Sequence, residues 1–542
     1  MLADMTRFAR RVGSVLVLAM IAGSPVSAGA TAEGSSQPLD RAARPRTETT
    51  LDGRSRSGQV APPSRAPSAE PGREVAAPVN EGGFLGITGN PGISPSDTTG
   101  AGGPNHVVTA VNISYAVWPK DQLSTPPAAP APLASGALRS LFPNLPGFVF
   151  DPKVVYDHYR GRYVLVFLMG QGGPFTGGPS KSRILIVTIP QATAHDPATW
   201  CKRKINGDQI KKDGKQFADY PGLGFDRKFL YVTTNQFSFG PREVFEYSQV
   251  AAIGKSRLYN CRGKIKVEAF GRKQTRSGGP AFTIMPAITQ GVAGTGKAEF
   301  LASFNDRSCG PFCGNKMTIW RIKKRKGRLD LRRRVVAVPT GRLAPLGTQL
   351  GGSTTCDPIQ TCWDAGDLRL VYAFHDADRD RLYVAHTVEA DIAFGDGYVE
   401  AAVRWYEFDP SPVKRARLLR TGLLGASQRD AGWASMATDA AGNLHVTYSQ
   451  AGAPAPGEYL SAYAATIPPG ATVPDAVSVL VAGESTYVQS PGRSQRWGDF
   501  TAANRDPVDP NRVWLINQYA RSDGSPPTTP LWQQTVHRVS FG

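Results

Sequence analysis

Short apolar runs alternate with tight polar turns along most of the chain, in a unit that recurs seven times between Ser96 and Phe541. Each unit has a polar or acidic start, an apolar run, a polar turn, a second apolar run and an aromatic-rich third run. The runs are rich in β-branched and aromatic residues and are bounded by Gly, Pro, Asn or Asp, which is the composition of strands and hairpins. No sustained apolar stripe at helical spacing interrupts them. The pattern therefore predicts an all-β protein built by radial repetition.

Five copies of the unit are clear and two are weaker. The clear copies lie at residues 151–189, 219–247, 367–408, 433–448 and 499–539, and the weaker ones at 97–118 and 281–321. From Phe84 to Gly542 the chain has room for seven units of about 66 residues, enough for four antiparallel strands and their loops. The prediction is one β-propeller domain over residues 84–542 with seven four-stranded blades, or six if the first weak copy is only a closing segment. Because the last copy ends on its third strand, an N-terminal strand near Phe84–Ile87 is predicted to pair with it and close the ring.

The N-terminal residues predict export. Arg7, Arg10 and Arg11 precede an apolar run over residues 12–22 and a small-residue cleavage site at 26–28, so residues 1–28 are predicted to be a signal peptide. Residues 29–83 are rich in Pro, Ser, Ala, Gly and Arg and hold no aromatic residue, which predicts a disordered linker. No other segment approaches about 18 consecutive apolar residues, so we expect a soluble, secreted protein, extracellular or periplasmic, without a transmembrane segment.

The chain has six cysteines, an even number that predicts a disulfide framework in an oxidising compartment. The predicted pairs are Cys309 with Cys313, Cys356 with Cys362 and, over a long range, Cys201 with Cys261. A four-thiolate zinc site built from the two close pairs is the competing interpretation.

The net charge is +18, and a large part of it lies in residues 321–334. There, nine basic residues stand against Asp330: Arg321, Lys323, Lys324, Arg325, Lys326, Arg328, Arg332, Arg333 and Arg334. One interpretation is a patch that adheres to anionic envelope polymers. The other is a hairpin between the third and fourth strands at the propeller rim, where basic residues discourage edge-to-edge pairing. Because no aromatic residues are interleaved with these basic residues, nucleic acid is not an expected partner. We expect the protein to be a monomer.

Acidic residues recur at the start of the first strand of the unit. They are Asp97, Asp151, Asp219, Asp367 and Asp499. In a propeller these positions gather at one mouth of the central channel, where carboxylates could bind a cation such as calcium or a hydroxyl-rich ligand. The competing interpretation is structural, because an Asp at a strand start can accept backbone N–H bonds and lock neighbouring blades together.

A second acidic set follows at the hairpin turns and is predicted to cap the turn backbone. Its members are Asp157, Asp226, Asp376, Asp439 and Asp506. Arg369 and Arg496 stand near the strand-start acids in sequence and could flank paired carboxylates at the mouth, as glycosidases require. His106 follows Gly-Pro-Asn in the first unit and is the best histidine candidate for the same mouth.

The repeated arrangement resembles the sialidase-like group of β-propellers, whose hairpins carry an aspartate-containing turn. More narrowly, the segments Asp97–His106, Asp151–Asp157, Asp219–Gly224 and Arg496–Phe500 resemble a family of secreted bacterial β-propellers. Catalytic sialidases need an arginine trio, a Tyr nucleophile assisted by Glu, and an Asp acid/base. Their Arg-Ile-Pro motif is absent here, since Arg183-Ile184 is followed by Leu185, and no nucleophile is carried over by the resemblance.

These observations favour a secreted binding or scaffold module that takes a carbohydrate, metal or protein ligand at one channel mouth, without catalysis. A glycoside hydrolase of sialidase-like type is the first alternative, and adhesion through the basic hairpin is the second. Repetition explains architecture, whereas catalysis needs asymmetric groups. Function is therefore expected where the copies differ, at residues 97–106, 363–369 and 496–499.

Overall fold

The computed structural model describes residues 78–541, apart from 91–92, 176, 241–242, 272–280, 292–297, 306–312, 394–395, 490–491 and 523–530. The predicted signal peptide and most of the predicted linker lie outside these residues. The first described element is strand β1 (Pro78–Thr88), which begins ahead of the predicted boundary at Phe84. In this part of the chain, no helix is long and apolar enough to cross a membrane.

Strands make up most of the regular structure, as the apolar pattern predicts. After β1 come β2 (Thr99–Gly102), β3 (His106–Val111), β4 (Ser114–Pro119), β5 (Ala134–Ala137), β6 (Phe148–Asp157), β7 (Arg162–Gln171), β8 (Lys181–Pro190), β9 (Cys201–Asn206), β10 (Gln216–Phe225), β11 (Phe229–Ser238), β12 (Phe245–Gly254), β13 (Val267–Gly271), β14 (Met285–Pro286) and β15 (Ile288–Gln290). The second half has β16 (Ala298–Asn305), β17 (Cys313–Arg325), β18 (Arg328–Arg342), β19 (Tyr372–Asp376), β20 (Arg381–Ala390), β21 (Glu400–Asp409), β22 (Arg417–Leu424), β23 (Asp430–Thr438), β24 (Leu444–Gly452), β25 (Glu458–Ile467), β26 (Ala476–Val481), β27 (Ala502–Arg505), β28 (Arg512–Arg521) and β29 (Leu531–Phe541).

Helical elements in the described residues are short. They are α1 (Lys255–Tyr259) and 3-10 turns at Leu138–Leu141, Gln191–Thr193, Pro197–Thr199, Ile359–Thr361 and Val413–Arg415.

The inner strands form a closed ring. Contacts join β2 to β6, β6 to β10, β10 to β14, β14 to β19, β19 to β23, β23 to β27, and β27 back to β2. Each of these strands is followed outward by antiparallel neighbours, which is the arrangement of a β-propeller. The all-β and β-propeller predictions are confirmed.

The sheets differ from the predicted seven separate four-stranded blades. Five four-stranded sheets are present: β2–β5, β6–β9, β14 with β16–β18, β23–β26, and β27–β29 with β1. The nine other strands form one sheet, because the short strand β15 pairs in parallel with both β10 and β19 and joins two antiparallel units. Only five blades are therefore separate sheets. The six-blade alternative is wrong as well, since the weak first copy forms its own sheet, β2–β5.

The N-terminal strand closes the ring as predicted. Strand β1 pairs antiparallel with β29, with Phe84 opposite Val536, and completes the sheet that the C-terminal strands begin. The Phe84 side chain is fully buried and packs near the Trp118 ring at a centroid distance of 5.5 Å. The strand therefore both covers an open sheet edge and adds apolar burial between two blades.

Apolar side chains between neighbouring sheets form the core. One cluster joins Val108 and Tyr115 of the β2–β5 sheet to Tyr163 and Leu165 of the β6–β9 sheet. All four side chains are at most 5% exposed. Face-to-face burial of this kind holds successive blades together.

Two of the three predicted disulfides are present, Cys201–Cys261 and Cys356–Cys362. The third predicted pair includes Cys309, which lies outside the described residues. Because Cys356 and Cys362 are bonded to each other, the four-thiolate zinc interpretation is wrong.

Candidate active site

Three inner strands carry the same irregularity close to their start. The ladder register shifts at residues 150–153 of β6, 219–222 of β10 and 432–435 of β23, and a residue inside each shift has a left-handed backbone: Asp151 with φ 52°, Tyr220 with φ 53° and Trp433 with φ 56°. Each shift is a β-bulge, which re-aims the side chains around it. Left-handed backbone is costly for residues other than glycine and persists where the surrounding structure imposes it.

Proline marks two of these bulges in the sequence. Pro152 follows Asp151, and Pro221 follows Tyr220. Proline cannot donate a ladder hydrogen bond, so it is tolerated where the strand is left unpaired. The bulges bring backbone and carboxylate of adjacent units together, since the Tyr220 N–H donates to Asp151 Oδ2 at 3.1 Å.

Four of the predicted carboxylates lie together at or just before the starts of inner strands. We call Asp97, Asp151, Asp219 and Asp499 the acidic centre; their exposures are 1%, 2%, 4% and 2%. The Asp499 N–H donates to Asp97 Oδ1 at 2.9 Å. Asn112 joins two members, because its Oδ1 accepts from the Asp151 N–H at 2.8 Å while its Nδ2 donates to Asp97 Oδ2. One oxygen, Asp219 Oδ1, is buried without a hydrogen-bond partner.

Two arginines flank the acidic centre, as the sequence predicts. Arg496 Nη2 lies 2.8 Å from Asp499 Oδ1. Arg369 Nε lies 2.8 Å from Asp367 Oδ2, and its guanidinium stacks 4.3 Å from the centre of the Tyr220 ring. The Arg496 side chain is 24% exposed and that of Asp367 is 16% exposed, so this edge of the cluster faces solvent.

Burial shifts the pKa values of the acidic centre upward. The pKa of Asp97 is raised to about 7, first by burial and then by repulsion from Asp499. Burial, with repulsion from Asp219, holds the pKa of Asp151 well above its ordinary value. Burial also raises the pKa of Asp219 to about 6, although the positive charge of Arg369 opposes the shift. The site therefore holds carboxyl groups that differ in proton affinity, which acid/base chemistry needs.

Lys153 interacts electrostatically with Asp97, Asp151 and Asp499 and lines a small cavity with Leu223, Val371 and Thr501. Its Nζ lies 3.3 Å from the centre of the Phe500 ring. Burial lowers the pKa of Lys153 to about 7, while Asp97 and Asp151 oppose the shift. The apolar surroundings of this ammonium explain the direction of the shift.

The structure brings together seven of the eight predicted ligand-binding residues: Asp97, Asp151, Asp219, Asp367, Arg369, Arg496 and Asp499. His106 does not join them. It begins β3, beyond the hairpin turn from β2, whereas Asp97 precedes β2, so the two residues lie at opposite ends of this hairpin. Its ring lies 6.0 Å from that of His195, and burial lowers its pKa.

Some residues of the site were not singled out from the sequence. Asn112 and Lys153 lie in or beside apolar strands and carry no motif of their own. Burial raises the pKa of Asp364. This residue lies in segment 363–369, one of the places where the copies of the repeated unit differ. Burial, with repulsion from Asp219, raises the pKa of Glu243 to about 7. The signal for Asp364 was therefore present in the sequence, whereas that for Asn112 and Lys153 was not.

The turn aspartates cap backbone, as predicted. Asp226 Oδ1 accepts from the N–H groups of Lys228 and Phe229, both at 2.7 Å. Asp439 Oδ1 accepts from the N–H groups of Gly442 and Asn443 at 2.8 and 2.9 Å. These carboxylates are saturated by local donors, which is a structural role.

Turn aspartates also reach the next blade. Asp157 Oδ2 lies 2.6 Å from Lys255 Nζ and accepts from the Tyr259 hydroxyl at 2.7 Å. Asp506 Oδ2 lies 2.7 Å from Lys120 Nζ. The turn aspartates therefore also make contacts between blades, of the kind predicted for the strand-start acids.

Among the residues that the structure describes, no group of three or more His, Cys, Asp or Glu side chains is arranged to hold a metal ion. The calcium expectation stays a prediction.

Comparison with known proteins finds remote likeness to solved structures. No protein family matches the chain, and no curated protein matches it. A protein of unknown function from Dyadobacter fermentans shares 11% identity over 72% of this chain and 94% of its own, with a TM-score of 0.39. An α-L-arabinanase of Penicillium chrysogenum, solved with arabinobiose, shares 10% identity over 60% of this chain and 93% of its own, with a TM-score of 0.33. A thermostable family-43 glycoside hydrolase shares 13% identity over 64% and 96%, with a TM-score of 0.28. The sialidase-like resemblance stays a prediction.

Proposed function

We propose that the chain is a glycoside hydrolase whose chemistry takes place at the acidic centre. One observation carries the proposal: Asp151 and Asp219 are neighbouring buried carboxyl groups, with the Tyr220 N–H beside Asp219 donating to Asp151 Oδ2 at 3.1 Å, and burial raises the pKa of both, well above the ordinary value for Asp151 and to about 6 for Asp219. Near neutral pH Asp219 is largely ionised, and its negative charge, together with burial, favours the protonated form of Asp151. A protonated and an ionised carboxyl flanking one bond are what glycosidic cleavage needs.

The roles follow from these proton affinities. Asp151 would donate a proton to the glycosidic oxygen as the leaving group departs. Asp219 would stabilise the positive charge that develops on the sugar, by attacking it or by activating water. Its buried Oδ1 accepts no hydrogen bond from the protein, so this oxygen is not committed to a structural contact.

Arg369 and Arg496 would orient the substrate. Each guanidinium already holds a carboxylate, Asp367 and Asp499 respectively, which fixes its position at the solvent-facing edge. Their remaining N–H donors suit the hydroxyl oxygens of a carbohydrate. The disulfides agree with a secreted enzyme, since such bonds persist in oxidising compartments.

A second candidate is a carbohydrate-binding module without catalysis. It is favoured by the hydrogen bonds of Asp97, which accepts from both Asn112 and the Asp499 backbone and so serves the architecture. In this alternative the acidic centre would recognise hydroxyl groups but transfer no proton.

Activity assays separate the two candidates. The mature protein is incubated with a panel of aryl glycosides and plant and bacterial polysaccharides, and released phenol or reducing ends are measured. Asp151→Asn and Asp219→Asn are each expected to lower kcat by about a hundredfold or more, while the exposed control Asp121→Asn leaves it unchanged. Carbohydrate binding by calorimetry with no turnover on the whole panel would support the binding module instead. Full activity in both variants would exclude the assigned roles.

A further inference from the structure

The basic segment forms a hairpin on the outer edge of its sheet. Strands β17 and β18 are the third and fourth strands of that sheet, joined by a tight turn at Lys326 (φ 47°) and Gly327 (φ 82°). The exposed cations of the segment are Lys323, Lys324, Arg325, Lys326, Arg328, Arg333 and Arg334. The rim location agrees with the predicted one.

Edge protection alone does not explain the arrangement. Arg325 is directly opposite Arg328 across the hairpin, and Arg321 is opposite Arg332. Like charges in directly opposite cross-strand positions are destabilising, whereas a few lysines are enough to block edge-to-edge pairing. The hairpin therefore concentrates positive charge beyond what a protected edge needs, and at a cost in stability.

The positive surface continues on both sides of the hairpin. On one side, the Leu329 N–H donates to Glu268 Oε1 at 3.2 Å, which docks the hairpin beside β13. The segment leading into β13 exposes Arg262, Lys264 and Lys266.

On the other side, Arg334 Nη1 donates to the Lys414 carbonyl oxygen at 2.5 Å. The segment around that contact exposes Lys414, Arg415 and Arg417. We call the exposed cations of residues 262–266, 323–334 and 414–417 the basic belt. It crosses the outer strands of three neighbouring four-stranded units, which makes it an elongated surface.

Nearby acids cancel only part of this charge. Asp330 is occupied by Arg332, with Nε 2.8 Å from Oδ2, and Asp409 Oδ2 lies 3.2 Å from Arg417 Nη2. An elongated surface with one sign of charge attracts an elongated ligand of the other sign.

We propose that the basic belt binds a linear acidic polysaccharide. A nucleic acid is disfavoured because the aromatic rings beside the belt are already covered: Lys324 Nζ lies 5.9 Å from the Phe229 ring, and the Arg333 guanidinium 5.4 Å from the Trp320 ring. Those rings are not free to stack on bases. A membrane surface is disfavoured because binding there also needs an exposed apolar face. Within the three described segments of the belt, every apolar side chain is at least partly buried.

The test compares two sets of three neutral substitutions in the full chain, with heparin as the probe. Lys324→Gln, Lys326→Gln and Arg328→Gln remove charge from the belt. The matched control removes the same charge from exposed positions outside it, with Arg160→Gln, Lys181→Gln and Lys204→Gln. Thermal unfolding shows whether each variant is folded.

The belt variant is expected to bind heparin at least about tenfold more weakly and with a shallower salt dependence, while the control changes affinity by less than about twofold. Equal weakening in both variants would overturn the proposal, as would heparin binding that does not respond to salt. Equal or tighter belt-dependent binding of single-stranded oligothymidylate, or of phosphatidylserine vesicles, would replace the polysaccharide with that partner. Hydrolysis at the acidic centre does not enter this readout.

Discussion

Asp219→Asn isolates the energetic cost of a buried carboxylate in the acidic centre. The Asp219 side chain is 4% exposed, and its Oδ1 accepts no hydrogen bond. Asparagine keeps the shape and removes the charge. Burial raises the pKa of Asp219 from 3.8 to about 6, so the folded protein binds this proton more tightly than the unfolded chain does. Stability is then greatest below the unfolded pKa and falls as the pH rises towards the folded one.

The magnitude follows from the same two values. A pKa of about 6 in place of 3.8 corresponds to about 3 kcal/mol of unfolding free energy, which the carboxyl proton contributes almost in full near pH 3.5 and which is lost by pH 8. Asp219→Asn has no carboxyl proton to lose and therefore does not lose this stability as the pH rises. The variant is therefore expected to be about 3 kcal/mol more stable than the natural chain at pH 8 and nearly equal to it at acidic pH.

Urea unfolding followed by tryptophan fluorescence, repeated at intervals from pH 3.5 to pH 8, measures this difference. The exposed control Asp121→Asn should follow the natural chain at every pH. A stability gain that stays constant across the pH range would refute the reasoning, because it would not come from the carboxyl proton. So would a loss of stability at pH 8. Loss of hydrolysis together with the gain in stability would be the signature of an acid retained for function.

Three further changes test the framework around the site. Replacing both Cys201 and Cys261 by serine opens a link across 60 residues and should lower the unfolding free energy by about 4 kcal/mol, measured by urea unfolding. Asp157→Ala leaves the buried Lys255 ammonium without its carboxylate and should cost about 3 to 5 kcal/mol, seen as a lower thermal midpoint. Gly432→Ala places a Cβ 1.9 Å from a backbone carbonyl oxygen and should cost about 2 kcal/mol or more; unchanged stability would contradict that contact.

Much of the fold could be predicted because its signals are local. Apolar runs with polar turns mark the strands, and Phe84 supplies the closing strand because the last copy lacks a fourth one. The joined sheet could not be predicted in this way. It depends on Ile288–Gln290, a strand of three residues whose parallel partners lie far away in sequence. Such a short segment has no period from which its pairing can be read.

The same distinction between local and long-range signals applies to the residues of the candidate site. Strand-start acids such as Asp151 could be predicted to converge, because the inner strands of a ring meet at one mouth. Lys153 could not, since its burial depends on facing the ring axis among residues of other strands. The prediction for His106 failed to account for chain reversal: β2 and β3 are antiparallel, so a residue at the β2–β3 turn lies far from the start of β2.

The two sets of aspartates show why one site in a repetitive fold can be functional. Each turn aspartate named here is satisfied by donors of its own turn or of the next blade, as Asp226 is by Lys228, Phe229 and the Tyr231 hydroxyl. Asp219 occupies a comparable strand yet leaves one buried oxygen without a donor. Leaving a buried carboxylate oxygen unsatisfied costs stability, and architecture alone gives no reason to bear that cost. In the proposed function a substrate hydroxyl or an attacked sugar carbon would supply one, so the difference between Asp219 and the saturated turn aspartates marks a place to look for chemistry.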